Sequence, residues 1–474
     1  MFNFVLSEHK YKHVHFIGIG GISMSGIAEI LLTKGYKVTG TDTKYNRIIQ
    51  RLEKLGAIIY INHQKENILG ADLIIYTDAI SNDNIELTAA FESGVDIIDR
   101  ATFLGKLMNN YPYSIAVSGT HGKTTTTSMI ATITNHGNLN PTVLLGGELD
   151  DIGGNVKLGS EEYILTEACE YKANILKYFP TTAIILNIDE DHLDYFKNMY
   201  HIIETFVKYG ENLKEDSNLI INSDDVNAHK VIEATKANVI TFGINSECDF
   251  KAENIKFTEE GYPSYTLNIK DEEYYPIQLH VMGKHNIYNS LASIATAYIH
   301  GVSMDEITNH LALYTGVHRR LELKGYINGV KIIDDYAHHP TEIQATLAAI
   351  SNTTTGKIYC IFQPHTFTRT KILLDSFSES FKNVNHVIIT DIYAAREYDN
   401  GEIHSRDLVN AVNRKTGNAI YLETFEETEK YLFSNIKDGD IVLTMGAGNV
   451  YLIGESMLEK YKQNNKEKAA VWKD

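Results

Sequence analysis

The sequence predicts an α/β protein of three domains, and three observations predict it. Short apolar stretches alternate with helix-length segments along most of the chain, the pattern of parallel sheets built from strand–helix–strand crossovers. One such stretch, Ser114-Ile115-Ala116-Val117, runs directly into Ser118-Gly119-Thr120-His121-Gly122-Lys123-Thr124-Thr125-Thr126 and then into a helical segment from Thr127 to Ile133. Residues 249 to 282 break the pattern, because alternation such as Tyr265-Thr266-Leu267-Asn268-Ile269 around Gly261 and Asp271 reads as antiparallel strands. At 474 residues the chain fits three domains on a prior of roughly 150 residues each. Its 43% hydrophobic and 22% charged residues are globular values that support several cores.

The glycine stretch is the chemical centre of this reading. Glycines let the backbone approach an anion closely, the helix N-terminus adds positive potential, and Lys123 has the reach for terminal phosphates. Thr124 supplies a hydroxyl for Mg²⁺. A full G-x-x-x-x-G-K-[ST] pattern needs glycine at position 117, where Val117 stands, so the loop is a shortened P-loop. Gly119, Thr120, His121, Gly122, Lys123, Thr124 and Thr125 are therefore the candidate ATP cradle. Mg²⁺ also needs an acidic oxygen from a neighbouring strand end. Glu167, after the strand Tyr163 to Thr166, is the first choice, with Glu170 and Asp150 as competitors.

The first domain, 1–111, reads as a doubly wound, Rossmann-like unit with strands at His13 to Gly18, Lys37 to Thr41, Ala57 to Tyr60 and Leu73 to Tyr76. Its first strand enters a turn containing Gly18, Gly20, Gly21 and Ser23, and its second ends at Asp42, twenty-two residues after Gly20. That resembles a dinucleotide fingerprint with serine at the third glycine position. It supports a nucleotide diphosphate on the turn and a ribose or base near Asp42. A polar turn at Asn109-Asn110-Tyr111-Pro112 opens the central P-loop domain, 112–315, with a mixed sheet and strands at Tyr163 to Thr166, Ala183 to Leu186, Leu219 to Ile221 and Val239 to Phe242. Asn187 to Asp194 brings several oxygen donors and His192 just past a strand. His285, Asn286 and Asn289 open a helix, where amides serve as caps or as adenine-reading groups.

The third domain, 316–474, alternates again: Lys331 to Ile333, Ile358 to Phe362, His386 to Thr390, Ala419 to Leu422 and Ile441 to Thr444 are strands of a second Rossmann-like unit. Three strand ends are rich in polar groups: Asp334 to Pro340, Pro364 to Arg369 and Asp391 to Glu397. Polar clusters at the carboxyl ends of parallel strands mark a site. From residue 464 onward the composition reads as a helix end and a frayed tail.

Composition excludes several functions. A formal charge of −18 opposes a phosphate-backbone footprint, so no nucleic-acid partner is expected. Cys169, Cys248 and Cys360 are odd in number and widely spaced, which fits a reducing cytoplasm and no zinc or redox motif. With no signal-like N-terminus and no run of 18 apolar residues, no membrane association is expected. One nucleotide-diphosphate domain, one ATP domain and one polar cleft domain are what an ATP-driven condensation of two substrates requires.

Six stretches together resemble the Mur ligase family along essentially the whole chain: Gly18 to Ala28, Gly119 to Thr125, Gly283 to Asn286 with Asn289, His318 to Arg320, Asp334 to Pro340 and Phe362 to His365. The resemblance is strongest to members that join L-alanine to the lactoyl carboxylate of UDP-N-acetylmuramate. It implies a cytoplasmic enzyme of peptidoglycan precursor synthesis, a monomer or homodimer, that uses ATP and Mg²⁺ through an acyl-phosphate. By position it implies that Lys123 stabilises the transferring phosphoryl group, that Thr124 and Glu167 hold Mg²⁺, and that His192 holds a second Mg²⁺. It places His285, Asn286, Asn289 and Arg320 at ATP. Gly18, Gly20, Gly21, Ser23, Asp42, Thr77 and Ser81 fall at the UDP end of the sugar nucleotide, and Tyr336, His338 and Arg369 near the amino acid and phosphates. One departure stands out: Thr366 occupies the place after Pro-His where relatives carry arginine, leaving that contact missing or supplied by Arg369. Two alternatives remain open here, a murein-peptide-recycling ligase that adds a tripeptide to the same nucleotide and a nicotinamide-dependent dehydrogenase with an appended P-loop.

Overall fold

The structure, a computed structural model, describes residues 2–395 and 397–471. Arg396, in the third polar strand end, and the last three residues of the tail lie outside the described residues. Three sheets follow one another along the chain, and the protein is α/β throughout.

The first sheet is fully parallel. It contains β1 (His13–Ile17), β2 (Lys37–Asp42), β3 (Ile58–Ile61), β4 (Leu73–Tyr76) and β5 (Asp96–Asp99), in the order β3-β2-β1-β4-β5. The order in which the chain crosses the sheet reverses between β1 and β4, so the crevice above their carboxyl ends is the topological switch point where such sheets take ligands. β5 is an addition to the expected strands: four residues with an aspartate at each end give too little apolar signal to read alone. The helix after it, Arg100–Met108, is capped by Asp99, whose carboxylate accepts the Thr102 N–H at 3.0 Å.

The second sheet is mixed, with ten strands. β6 (Tyr113–Ser118), β9 (Tyr163–Glu167), β10 (Thr182–Ile185), β11 (Asn218–Asn222) and β12 (Asn238–Gly243) form its parallel heart. β7 (Thr142–Leu149) joins β9 in parallel, and β8 (Gly154–Lys157) pairs antiparallel at that edge. On the other side β13 (Phe250–Phe257), β14 (Pro263–Ile269) and β15 (Glu273–Gln278) form the antiparallel excursion that the alternating pattern predicts. β7 and β8 escaped the sequence because Gly146-Gly147 interrupts β7, and its pairing with β8 shifts register between Leu144 and Leu149.

The third sheet runs β16-β17-β21-β18-β19-β20, with β16 (Glu322–Ile327) antiparallel to β17 (Val330–Asp335). β18 (Ile358–Phe362), β19 (His386–Ile389), β20 (Ala419–Tyr421) and β21 (Ile441–Met445) are parallel to it. β16 ends two residues before β17 at Asn328-Gly329, and both turn residues have positive φ, as a tight hairpin requires. No helix among the described residues is long and apolar enough to cross a membrane.

The first sheet's layer is packed hard onto the second. One apolar cluster runs from Phe16, Ile27 and Leu104 into Leu144, Ile164 and Tyr178. Two glycines set the clearance. A Cβ on Gly26 would stand 2.6 Å from Leu144 Cδ2, and one on Gly105 would stand 2.1 Å from the Lys177 carbonyl oxygen. The Gly105 neighbour is backbone and cannot swing aside. Gly105→Ala is therefore expected to destabilise the protein by about 1–3 kcal/mol, the usual cost of overpacking. Thermal unfolding checks this, and an unchanged melting temperature would show that the helix Arg100–Met108 shifts freely on its neighbour.

Candidate active site

The glycine loop follows β6 and feeds the helix Lys123–Asn135, so the helix begins four residues earlier than its apolar periodicity alone indicated. Gly119 and Gly122 have φ of +125° and +87°. A Cβ at Gly122 would lie 2.5 Å from Asn289 Oδ1, and one at Gly119 would lie 3.1 Å from the Asn187 backbone. Only glycine fits both places. Asn187 pins the loop reciprocally: it accepts the His121 N–H at 2.8 Å and donates to the His121 carbonyl at 3.0 Å.

Lys123 Nζ donates to the Thr120 carbonyl at 3.0 Å and to Glu170 at 3.1 Å. Burial would lower its pKa, but Glu170 outweighs burial and raises it, so the amine stays charged. Glu170, a competitor for the metal in the sequence, is thus the lysine's ion-pair partner. Asp150, the other competitor, accepts from His318 Nε2 at 3.0 Å and is exposed. Glu167 stands where the strand end predicted it, accepting the Thr124 hydroxyl at 3.0 Å and the Gly146 N–H at 2.6 Å. Burial raises its pKa, and the Gly146 and Thr124 hydrogen bonds with the nearby Lys123 and Arg320 charges only partly offset that. Two hard oxygen donors side by side suit Mg²⁺, so the donor set fits that ion.

Beside the loop a cavity of about 750 Å³ lies between the second and third sheets' layers, a volume in the range of small-molecule sites. His285, Asn286, Asn289, Asp224, Arg320 and Glu342 are among its lining residues. Asn289 donates to Asn286 Oδ1 at 2.9 Å, and Asn286 donates to the Met282 carbonyl at 2.7 Å, so part of each amide is committed to the fold. Burial and then Arg320 pull the His285 pKa down to about 4, leaving a neutral ring.

Carboxylates and cations interleave on the cleft floor. His121 Nε2 meets Asp189 at 3.1 Å and its Nδ1 meets Glu342 at 3.4 Å. Burial opposes its charge, but the two carboxylates prevail and hold its pKa up at about 9. His192, in the left-handed region at φ 54°, sits 3.7 Å from Glu170 and 3.8 Å from Asp191; burial is again outweighed, and its pKa rises to about 9. As an imidazolium it must release a proton before it can ligate a metal. Arg369 spans the cleft, with Nη2 2.9 Å from Asp191 and Nη1 2.9 Å from His365 Nδ1. His338 Nδ1 lies 3.0 Å from the Tyr336 carbonyl and 3.4 Å from Glu342, yet burial dominates and lowers its pKa to about 4. The Tyr336 ring lies against both Arg319, at 4.9 Å, and Arg320, at 5.1 Å.

Thr366 is buried at 7% exposure with φ of +63°, unusual for a β-branched residue. Its hydroxyl accepts the Arg369 N–H at 3.4 Å, capping the helix Phe367–Ile372. The position thus sets the helix that carries Arg369.

At the first sheet the structure brings Gly18 and Thr77 together across the switch point: a Cβ on Gly18 would lie 2.6 Å from Thr77 Cγ2. Asp42 turns into the glycine turn and accepts the Gly20 N–H at 2.9 Å, so its carboxylate organises the turn. Gly21 donates its N–H to the Gly18 carbonyl at 3.4 Å. Ser81 is exposed and its hydroxyl bonds Asp83. Sequence reasoning missed Arg100, whose Nη1 donates to Ser23 at 3.1 Å. Its signal was available, since Asp99-Arg100 ends a strand at the ligand-facing edge. Asp189, Asp191 and Glu342 were also missed as partners; the first two lay inside the oxygen-rich run around His192.

Comparison with known proteins places the chain in a family. The model for the Mur ligase family, catalytic domain, matches residues 13–112, that for the Mur ligase middle domain matches 117–297, and that for the Mur ligase, glutamate ligase domain matches 319–448. The chain belongs to the Mur ligase family. It is 51% identical over 96% of its length, and 97% of the relative's, to a UDP-N-acetylmuramate–L-alanine ligase of Acetivibrio thermocellus. Among solved structures, a UDP-N-acetylmuramate–alanine ligase of Thermotoga maritima matches with a TM-score of 0.81 and 27% identity, covering 96% of this chain and 100% of that one. A murein peptide ligase of Psychrobacter arcticus shares the fold with a TM-score of 0.72, at 24% identity over 95% and 98% of the two chains.

The His121 environment generates a pH test. Its pKa stands at about 9 against an ordinary 6.5, so its stabilising contribution is complete below pH 6.5 and disappears as pH rises through 9. The melting-temperature advantage of the unsubstituted protein over His121→Gln, measured in chelator-treated buffer, should be largest near pH 6 and vanish near pH 10. An advantage that grows with pH would overturn the charged state assigned to His121.

Proposed function

We propose that this chain joins L-alanine to the lactoyl carboxylate of UDP-N-acetylmuramate, with ATP converted to ADP and phosphate, in the cytoplasmic synthesis of peptidoglycan precursors. The observation that carries this reading is the 51% identity along 96% of the chain to a ligase of that name. The tripeptide-adding alternative has in its favour structural likenesses at 24% and 26% identity, about half the identity of the L-alanine-adding relative. The dehydrogenase alternative loses its basis once the first domain is matched as part of a Mur ligase.

The chemistry follows from what a carboxylate lacks. Its oxygen leaves poorly until phosphorylated, so the sugar-nucleotide carboxylate attacks the terminal phosphate of ATP, and the amine of alanine then displaces phosphate from the acyl-phosphate. In this reading Lys123 turns from Glu170 toward the phosphates and offsets the charge that spreads over the transferring group. Thr124 and Glu167 would hold Mg²⁺, which would supply neutralising charge to the phosphates, and a deprotonated His192 would hold a second ion. The loop from Gly119 to Thr125 wraps the phosphates, while His285, Asn286, Asn289 and Arg320 border the nucleoside in the cavity. The sugar nucleotide lies on the first-sheet crevice, at Gly18 to Ser23, Asp42, Thr77 and Ser81. Near the amino acid, the His338 Nδ1–H donates a hydrogen bond to the Tyr336 carbonyl and so keeps an Nε2 lone pair for the incoming amine. Arg369 offers a planar fork to a carboxylate or phosphate.

Phosphate release should require UDP-N-acetylmuramate, ATP and L-alanine together, and replacing alanine by a tripeptide should reduce it to background. Equal turnover with the tripeptide would favour the alternative ligase. Lys123→Ala should fold normally and lose about 10²–10³-fold or more in kcat. Arg369→Lys should raise the KM for alanine while sugar-nucleotide affinity, read by calorimetry, stays the same. Activity of Lys123→Ala within tenfold of the parent would remove Lys123 from the phosphoryl site.

A further inference from the structure

Three ligand atoms from His121, Asp189 and His339 lie within 4.8 Å of one another at the junction of the second and third domains. We propose that these residues form an inhibitory site for a late first-row transition metal, of the Zn²⁺ class, distinct in its residues from the Thr124 and Glu167 pair. His339 is the independent pointer. It is 4% exposed, and its Nε2 is buried with no hydrogen-bond partner, a costly state for a polar atom unless something meets it.

The donor set fits the ion. Two imidazoles and one carboxylate with an open fourth position are a zinc ligand set, and soft-to-borderline nitrogen donors disfavour Mg²⁺. Zinc bonds of about 2.0–2.2 Å place tetrahedral ligand atoms roughly 3.3–3.6 Å apart. His121 Nε2 and Asp189 Oδ2 already stand 3.1 Å apart, so closure requires His339 to draw in. The supporting contacts exist. Glu342 faces His121 Nδ1 at 3.4 Å, which leaves Nε2 for the metal, while the Thr341 hydroxyl and the Glu190 N–H each donate to Asp189 at 2.8 Å. Binding has two costs. One proton leaves His121, and coordination through His339 Nε2 moves that ring's proton to Nδ1 and gives up the long 3.3 Å bond from the Thr341 N–H.

The consequence comes from where the ligands sit. His121 belongs to the glycine loop, and Asp189 to the segment after β10. His339 precedes the helix Pro340–Ile350 of the third domain. A metal joining them clips the phosphate-binding loop to the third domain and fixes one closure state. That inhibitory step rests on the ligase reading above; metal binding itself does not.

The test uses full-length protein stripped of metal with a chelator and contains no nucleotide. Zn²⁺ is titrated by calorimetry and Co²⁺ by visible absorption, where tetrahedral coordination gives intense bands. One equivalent should bind with such bands. His339→Asn, which keeps a favourable helix cap, and Asp189→Asn should each weaken binding by at least tenfold, and Glu342→Gln by about 10–100-fold. Glu167→Gln should bind Zn²⁺ like the parent. Absence of binding, parent-like affinity in both His339→Asn and Asp189→Asn, or loss of binding in Glu167→Gln would each overturn the site. In phosphate-release assays at saturating Mg²⁺, Zn²⁺ should inhibit the parent at least tenfold more potently than His339→Asn. Equal inhibition alongside lost binding would overturn the regulatory half while the ligase activity itself still registers.

Discussion

Carboxylates withdrawn from water in the cleft between the second and third domains set the terms for everything around them. Asp191 and Glu342 cannot remain ionised there unless cations from other segments meet them. Asp191 takes Arg369, and Glu342 takes His121 and Arg320. Each pairing ties a distant stretch of chain to the cleft. Glu342 also accepts the backbone N–H groups of His338 and His339 at 3.1 and 3.3 Å, so the same carboxylate caps a helix and faces the glycine loop. Its charge makes the loop geometry and the third-domain geometry parts of one electrostatic arrangement.

The two domain seams differ in kind for the same reason. The first seam is apolar and clearance-limited, with Leu144 and the Lys177 carbonyl lying where a methyl group on Gly26 or Gly105 would stand. Contacts of that type lose dispersion energy with any sliding. The second seam adds to a small apolar contact of Leu193 and Met282 a cavity, ion pairs and single hydrogen bonds such as Thr341 to Asp189, which water can replace one at a time. A ligase that must admit three substrates and then exclude water needs one seam of each sort.

What the sequence disclosed follows from the range of the interactions. The glycine loop was legible because its constraint is local: positive φ at Gly119 and Gly122 and a hydroxyl next to a lysine are chain-neighbour properties. Glu167 was legible one step further out, because a strand in a parallel sheet delivers its end residue to the same edge as the loop. Partner choice was not legible. Nothing in Lys123 or Glu170 announces their pairing, and Asp42 looks the same in sequence whether it reads a ribose or holds a glycine turn. Arg369 was anticipated as a cleft cation, but its hold on Asp191 and the strained Thr366 that orients its helix are tertiary facts. The missed strands β5, β7, β8 and β16 are short or glycine-broken, and neighbours rather than their own periodicity hold them in place.

The histidines show how far one cleft can divide identical side chains. His285 and His338 lose their charge because burial dominates; His121 and His192 keep theirs because paired carboxylates outweigh the same burial. Within one cleft the protein therefore holds neutral rings, able to accept a hydrogen bond or proton, beside rings that are charged near neutral pH and able to face an anion. This resolves the tension between a net charge of −18 and an anionic substrate pair. Exposed acids elsewhere are screened within about 8–10 Å at ordinary ionic strength. In the proposed function Lys123, His121, Arg320 and Arg369 would meet bound phosphates at contact distance, where screening by salt is weak. In the proposed function anion binding therefore depends on which cations the recessed carboxylates have gathered, while the surplus of acids elsewhere makes the chain acidic.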